Sequence, residues 1–450
     1  MIYLKKFENH AEYTAYTAST EFIKPNVSHC IQEVEMHYSP YSYADEYLTT
    51  IAKEQGTISF NIWKNMGTEY ITSISYSTDN GETWTTVQNQ DNKQEHLTID
   101  VNVNEGDKIL WKGDAQQTGY YDEDDYDDIV GSFFSSTAEL DMQGNVMSLL
   151  YGDDFKGENT LEYDGQFAYL FYDYDEESEC KVVNARNLSL PATTLSEDCY
   201  FYMFGNCTSL TTAPELPATT LATYCYGSMF KGCTSLTTAP ELPAKTLASN
   251  CYGSMFRGCT SLTTALELPA TTLAEGCYTY MFYDCTSLTT VPSILPATTL
   301  SKNCYFYMFY NCTSLTTAPE LPATTLAVGC YQAMFYNCTS LTTVPSILQA
   351  TTLAEQCYLY MFWNCTSLTT APELPATTLA VGCYEYMFRS CTSLNYIKAM
   401  FTTEPSTTYT KGWVTNVAAS GTFVKNSAAE WDVTGVDGIP TGWTVQTASA

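Results

Sequence analysis

Apolar and polar residues follow two different rhythms along this chain. In residues 58–62 and 97–103 they alternate one by one, and the second run ends in the turn residues Asn104 to Asp107. Strict alternation is typical of β-strands with one buried face. Short strands of this kind bury that face against a second sheet, so we predict a β-sandwich, Ig-like or jelly-roll-like, over residues 56–150.

The second rhythm is a unit of 26 residues that occurs eight times in succession, beginning at Cys199. One copy reads CYTYMFYDCTSLTTVPSILPATTL from Cys277, and the step lengthens to 27 residues at two places. A unit of this length cannot bury its apolar face alone, so neighbouring copies must stack on one another. We therefore predict a solenoid over residues 199–400.

Two cysteines, eight positions apart, mark each copy. The spacing of four residues between Cys199, Met203 and Cys207 predicts that they share one face of a short helical turn. Flanked by Met, Phe and Leu, these cysteines are expected to be small buried apolar residues in two reduced ladders, with disulfides between neighbouring repeats as the alternative. The ladder residues are Cys199, Cys207, Cys225, Cys233, Cys251, Cys259, Cys277, Cys285, Cys304, Cys312, Cys330, Cys338, Cys357, Cys365, Cys383 and Cys391.

The outward positions of the same segment vary from copy to copy and are often aromatic. Aromatic side chains in a row can stack on sugar faces or anchor a protein partner, which makes them a candidate ligand-binding stripe. The alternative is that the rings bury against neighbouring repeats and have only a packing role. The stripe consists of Tyr280, Tyr283, Tyr307, Tyr310, Tyr336, Tyr360 and Trp363.

Three flanking segments complete the predicted organisation. Residues 151–198 hold a degenerate copy of the repeat, which suits an N-terminal capping repeat because terminal repeats need a polar outer face. Residues 401–450 are expected to form a C-terminal cap over the open edge of the last repeat. Residues 1–55, rich in Tyr and poor in aliphatic residues, are expected to be an N-terminal anchor or docking segment.

The charge of the chain excludes some classes of partner. Fifty acidic residues against 19 basic ones give a net charge of -31, which opposes binding to nucleic acid and to anionic membranes. The sequence has no apolar run of about 18 residues, so we expect no membrane insertion. The start, MIYLKKFENHAEY, lacks the apolar segment of a conventional export signal. No heptad pattern supports a homo-oligomer, which remains an open alternative.

The residues do not predict catalysis. The four histidines, His10, His29, His37 and His96, all lie outside the repeats, so no repeat cysteine has a histidine to activate it. We expect no catalytic residues, no metal site and no cofactor. The acidic run 120–128 lacks the ligand order of a known calcium loop, so a solvated loop is preferred to a cation site. A glycan-processing enzyme with repeat-based substrate binding remains an alternative function.

The repeat elements MFxxCTSLTTxP and ATTLA, from about Tyr151 to Phe401, resemble the BspA-like leucine-rich repeats of gut Bacteroidetes and some protists. The unit here is 26 residues and not 23, and its CYxYMF section is longer. The resemblance implies extracellular adhesion and protein or glycan binding without catalysis. The predicted fold class is thus mainly β with short helical turns, a leucine-rich-repeat solenoid preceded by a β-sandwich.

The opening segments YLKKFENH (3–10) and FIKPNV (22–27) resemble the N-terminal segments of virion proteins of Bacteroides-infecting crAss-like phages. This resemblance implies a virion surface or fibre protein, assembled in the host cytoplasm. It would dock on virion structural proteins through residues 1–55 and bind a bacterial surface glycan or protein, or a mucosal ligand, through the solenoid. A BspA-like adhesin at the bacterial cell surface is the alternative.

A third resemblance concerns one turn. Residues 77–84 read STDNGETW and resemble an Asp-box, the hairpin turn of many β-proteins, sialidases among them. In those proteins the box stabilises the fold away from the active site.

Overall fold

The computed structural model describes residues 43–63, 73–88, 96–114, 119–120, 130–172 and 181–448. The chain is mainly β with few helical residues, and within these ranges no helix is long and apolar enough to cross a membrane. The strands are β1 Leu48–Ala52, β2 Gly56–Trp63, β3 Ser73–Ser77, β4 Thr85–Gln88, β5 His96–Val103, β6 Lys108–Gly113, β7 Gly119–Tyr120, β8 Val130–Ser136, β9 Leu140–Asn145, β10 Val182–Ser189, β11 Tyr396–Ala399, β12 Thr422–Lys425 and β13 Thr444–Thr447; the helix α1 is Ser148–Tyr151, and the 3-10 turn Gly152–Asp154 follows it.

The first ten strands form two sheets. The six-stranded sheet has the order β10-β9-β1-β6-β3-β4, and the four-stranded sheet has the order β5-β2-β8-β7. Strand β1 lies between β9 and β6 and is antiparallel to both, although its residues belong to the segment predicted to dock elsewhere. Residues 48–52, near the end of the predicted segment 1–55, are therefore part of this sheet.

Aromatic side chains of the two sheets contact each other. The Trp111 ring on β6 lies 6.0 Å from Phe60 on β2 and 5.2 Å from Phe134 on β8, measured between centroids. All three side chains are fully buried. The indole nitrogen of Trp111 donates to Thr50 Oγ1 at 3.0 Å, which satisfies its polar atom inside the core.

The two sheets continue into the repeats without a break in the core. Strand β10 is parallel to β9 and forms a bridge from Asn184 to Thr212 in the first repeat. On the other sheet, Phe134 N donates to Leu170 O at 2.8 Å, and the Phe134 and Phe171 rings stack at 5.5 Å. One cluster of buried apolar residues extends from β1 to residues 439–443.

The Asp-box residues form a tight turn. Asp79 accepts hydrogen bonds from the Thr83 hydroxyl and amide and from Ser77 Oγ, which lower the pKa of Asp79 to about 2. Trp84 packs against Tyr47 at 5.0 Å between ring centroids. The turn thus connects β3 to β4 at the edge of the six-stranded sheet and packs against Tyr47. The acidic run 120–128 lies outside the described residues, except for the backbone of Tyr120.

Each repeat folds as a series of turns in which two residues point in and two point out. In the copy from Cys277, alternate amides donate to the next repeat, as from Tyr280 N to Phe306 O at 2.9 Å. The amides between them close turns within the repeat, as from Tyr283 N to Tyr280 O at 3.1 Å. Every amide of this segment is therefore used, half of them to join one repeat to the next.

The prediction of helical turns is wrong for this segment. One residue in four has a positive φ, as at Tyr280 (55°) and Asp284 (61°), whereas an α-helix needs a φ near -63° throughout. A helix would also place all hydrogen bonds within one repeat and leave none to join it to the next. Turns and helix share a spacing of about four residues, so the sequence pattern alone did not separate them.

The inward residues form continuous columns. All sixteen repeat cysteines are fully buried and none is in a disulfide. The rings of the tyrosines from Tyr200 to Tyr384 stack in one column, and those of the phenylalanines from Phe204 to Phe388 stack in another. The Phe309 ring, for example, lies 5.6 Å from the ring of each of its two neighbours. The hydroxyls of Tyr200, Tyr226 and Tyr252 are buried without a hydrogen-bond partner, so ring packing outweighs this polar cost.

Where the turn needs a positive φ at its end, several repeats place asparagine. Asn311, Asn337 and Asn364 have φ values of 58–61°, a region that Asn tolerates better than other side chains. Their amides form a ladder: Asn364 Nδ2 donates to Asn337 Oδ1, Asn337 Nδ2 to Asn311 Oδ1, and Asn311 Nδ2 to Asp284 Oδ1. Asparagine thus supplies both the backbone conformation and a polar link between repeats.

We expect Asn337→Ala to destabilise the protein by about 1–3 kcal/mol, because it removes two amide hydrogen bonds and puts Ala into the left-handed region. Asn337→Gly is the matched control, since it loses the same bonds but adopts a positive φ freely. Urea denaturation followed by circular dichroism measures both. If the two variants are equally stable, the backbone conformation plays no part in the choice of asparagine.

Residues 401–448 continue the stack. Tyr384 N donates to Tyr409 O at 3.0 Å and Phe388 N donates to Trp413 O at 2.9 Å, the same links that join earlier repeats. Strands β11, β12 and β13 then pair in parallel, one after the other. At the other end, Phe167 and Phe171 make the equivalent bonds to Cys199 O and Met203 O, so residues 167–171 bond to the first repeat as one repeat bonds to the next.

Candidate functional site

One side of the repeats carries two neighbouring columns of outward side chains, which together we call the aromatic face. Equivalent positions of successive repeats follow each other along a column, because each repeat bonds to the next in constant register. The first column contains Tyr280, Tyr307, Tyr360 and Tyr386, with the small, buried Ala333 at the position between Tyr307 and Tyr360; the second contains Arg257, Tyr283, Tyr310, Tyr336, Trp363 and Arg389. All seven residues of the predicted stripe lie on this face.

The backbone turns fix the direction of these side chains. Tyr280, Tyr307 and Tyr360 have φ values of 54–60° and form the outward corner of a turn. The second-column residue comes three positions later and closes that turn with its amide, as from Tyr310 N to Tyr307 O at 3.2 Å. The buried cysteine, methionine and phenylalanine on either side anchor each corner in the core.

Rings of the second column stack on one another. Tyr283 and Tyr310 lie 4.3 Å apart at 5° between planes, Tyr310 and Tyr336 4.8 Å apart at 25°, and Tyr336 and Trp363 5.2 Å apart at 31°. Each ring is half-buried. Because neighbouring rings cover each other's flat faces, the column presents ring edges and hydroxyls to solvent. Stacking of sugars on the ring faces of this column is therefore blocked.

An arginine lies at each end of the stacked rings. The guanidinium of Arg257 is 4.6 Å from the Tyr283 centroid, and that of Arg389 is 4.7 Å from the Trp363 centroid, both cation–π contacts. Neither arginine has an ion pair with any residue in the described ranges. The stripe predicted from the sequence does not include these arginines, although both occupy the register of its aromatic residues.

A shallow groove runs between the two columns. It encloses about 390 Å³ and is lined by Arg257, Tyr280, Tyr283, Tyr307, Tyr310 and Tyr336. Partial burial raises the pKa of Tyr307 to about 12, with smaller contributions from four neighbouring tyrosines. Burial also raises the pKa of Tyr310 and Tyr336. The phenols therefore stay protonated at neutral pH and can donate hydrogen bonds.

Charges near the aromatic face are mixed but mostly basic. Lys231 Nζ donates to the Tyr202 hydroxyl at 2.7 Å. Tyr202 occupies, in the first repeat, the position equivalent to Tyr280. Lys411 lies 5.4 Å from the Tyr386 centroid and pairs with Glu385 at 3.3 Å. The carboxylate of Asp284 accepts the Asn311 amide at 2.7 Å. The two acids are thus already bonded, whereas Arg257 and Arg389 lie against rings and form no ion pair within the described ranges.

The buried cysteines are poor candidates for chemistry. Burial raises the pKa of Cys277 and Cys330 to about 12, so the thiolate that would act as nucleophile is not formed at neutral pH. Several thiols donate to the preceding repeat, as from Cys259 Sγ to Phe230 O at 3.1 Å. Within the part of the chain that the structure describes, no three His, Cys, Asp or Glu side chains form a potential metal site.

Comparison with known proteins agrees with the repeat geometry. A search of curated proteins found no match. The family model for the BspA type leucine rich repeat region matches residues 180–316 and 302–410, in six copies, and these ranges together cover slightly more than half of the 450 residues. The chain therefore belongs to the BspA-type leucine-rich repeat family.

Proposed function

We propose that this protein is a non-enzymatic adhesion protein that binds its ligand through the aromatic face. BspA-type repeats suggest a surface adhesin or a structural repeat protein, and no catalytic family matches. The observation that carries the proposal is the aromatic face with its groove: hydroxyls, ring edges and the guanidiniums of Arg257 and Arg389 lie on the outer side of a stack whose thiols and remaining rings serve the core. Such a surface can bind a ligand but holds no activated nucleophile.

In architecture, we propose a β-sandwich that leads directly into a solenoid of leucine-rich repeats. The sandwich would begin near residue 43 and include β1, which moves its start from residue 56. The capping repeat would occupy residues 151–198, the eight regular repeats 199–400, and the C-terminal cap 401–450. This cap would itself consist of further degenerate repeats, since its backbone bonds follow the pattern of the solenoid. The ligand-binding face then lies far from the N-terminal sheets.

For the setting of the protein, we propose the surface or a fibre of a virion, with residues 1–55 or a shorter part of them docked on other virion proteins. The N-terminal resemblance to phage virion proteins supports this choice. A bacterial cell-surface adhesin is the second candidate, and the family match is equally consistent with it. Immunogold labelling of purified phage particles and of bacterial cells with an antibody to the repeats distinguishes the two settings.

The binding role is tested with the triple variant Tyr310→Ala, Tyr336→Ala, Trp363→Ala. We expect it to lose binding to fixed Bacteroides cells or to immobilised mucin, because it removes three adjacent rings of the second column. The change in stability should be modest compared with removal of a core ring, since none of the three side chains is fully buried.

The matched control is Thr317→Ala, Thr343→Ala, Thr370→Ala, which changes exposed threonines of the same three repeats away from the aromatic face. This variant should bind like the unchanged protein. Circular dichroism and thermal melting confirm that both variants are folded. If the aromatic variant is folded and binds as well as the control, the proposed role of the face is wrong.

A further inference from the structure

We infer that the aromatic face takes an acidic polysaccharide, and that Arg257 and Arg389 pair with its carboxylates. This inference rests on the proposed binding function and adds the class of ligand. Its starting point is that the two arginines end one column of stacked rings, five repeats apart. At a strand spacing of about 4.8 Å per repeat, they lie roughly 24 Å from each other along the stack, a length that suits an extended chain.

The groups offered between the arginines are hydrogen-bond donors. The flat faces of Tyr283, Tyr310 and Tyr336 are covered by neighbouring rings, so their hydroxyls and their edges, the positive part of the ring quadrupole, point outward. Hydroxyl donors and positive ring edges complement the oxygen-rich surface of a sugar chain. Burial raises the pKa of Tyr307 and Tyr310, so their hydroxyls are protonated at neutral pH and can donate.

The same geometry argues against nucleic acid. Single-stranded nucleic acid binds by stacking its bases on exposed aromatic faces in a positively charged groove. Here the ring faces of the second column are covered by neighbouring rings, so bases find no free face in this column to stack on. An apolar anchor from a protein partner would also find few uncovered ring faces in this column.

Arginine favours a carboxylate among acidic ligands in this setting. A guanidinium binds carboxylate or sulfate in a bidentate manner, and both Arg257 and Arg389 have no such partner among the described residues. Because the whole chain is strongly acidic, repulsion grows with the charge density of the ligand. A uronate chain with one carboxylate per sugar is therefore preferred to a densely sulfated one. Asp284, the acid nearest the groove, is held by Asn311.

The test uses the full chain and sodium polygalacturonate as probe, with binding measured by isothermal titration calorimetry. We expect Arg257→Gln and Arg389→Gln each to weaken binding about tenfold, as loss of a charge-assisted hydrogen bond does. The matched control is Lys245→Gln, which changes the net charge by the same amount at an exposed position away from the aromatic face. It should change the affinity by less than about twofold.

Each other outcome overturns the inference. One is that the unchanged protein fails to bind polygalacturonate, and another is that Arg257→Gln and Lys245→Gln weaken binding equally. A third is that the protein binds the methyl-esterified polymer as tightly as the free acid, and a fourth is that it binds dextran sulfate more tightly than polygalacturonate. Circular dichroism of each variant shows that lost binding is not unfolding. If the unchanged protein does not bind polygalacturonate but the triple ring variant still loses binding to cells or mucin, only the ligand class is wrong. If ring removal has no effect on cells or mucin either, the proposed function fails as well.

Discussion

Raising the pH from 8 to above 10 is expected to unfold the repeats in one steep transition. Burial raises the pKa of fourteen of the sixteen core cysteines above the ordinary thiol value of 9.0, to about 12 at Cys225, Cys277, Cys330, Cys383 and Cys391. The folded protein holds these protons, whereas the unfolded chain releases them as the pH passes 9. Stability is therefore complete below about pH 9 and is lost as the pH rises toward 12.

The effect is large because it is repeated. Each buried thiol lowers the free energy of unfolding by about 1 kcal/mol for every pH unit above 9. With so many thiols in one stack, even a stability of about 15 kcal/mol is exhausted within roughly one pH unit. Burial raises the pKa of the core tyrosines too, as at Tyr252, which adds to the loss at still higher pH.

Circular dichroism and thiol labelling with an aromatic disulfide, from pH 7 to 11 in small steps, measure this prediction. The thiols should be unreactive below the transition and react together within it. Samples returned to pH 7 without label, under reducing agent, should recover their spectrum, which separates titration from chemical damage. Gradual labelling of individual cysteines at pH 8, with the fold intact, would contradict the burial of the ladders.

The second large effect is expected from Phe309→Ala, which should destabilise the protein by about 3–5 kcal/mol. Phe309 is fully buried and stacks between Phe282 and Phe335, each 5.6 Å away. Its removal leaves a cavity in the middle of the phenylalanine column, and stiff neighbouring repeats cannot collapse into it. Because each repeat contacts chiefly its neighbours, the loss also weakens cooperation between the two halves of the stack.

Phe306→Ala is the matched control, because Phe306 belongs to the same repeat but is only half-buried on the outward side. It contacts the edges of Tyr280 and Tyr307 at 5.3 and 4.4 Å between centroids. We expect it to cost well under half as much as Phe309→Ala. Guanidinium denaturation followed by tryptophan fluorescence measures both, and equal midpoints would mean that the inward and outward sides of the repeat have been misassigned.

The comparison of the two phenylalanines illustrates what the sequence could predict. The Cys, Met and Phe of the CYxYMF section recur in every copy and are buried, whereas most residues at the varying positions between them are only partly buried. The tyrosine at the second position of this section follows the same rule, since Tyr305 and its equivalents are almost fully buried. Its constancy in all eight copies was a signal for burial.

The repeat, its length, its register and the family could all be predicted from the sequence, because each 26-residue unit must bury its apolar side chains against a neighbouring unit with the same pattern. The sequence also placed the aromatic residues at equivalent outward positions. Only the tertiary structure decided that the segment forms turns and not helix, since both have a spacing near four residues and differ in where their amide hydrogen bonds go. Only the structure, too, showed that outward rings cover each other's faces between two arginines, because ring orientation depends on contacts between repeats and not on spacing within one.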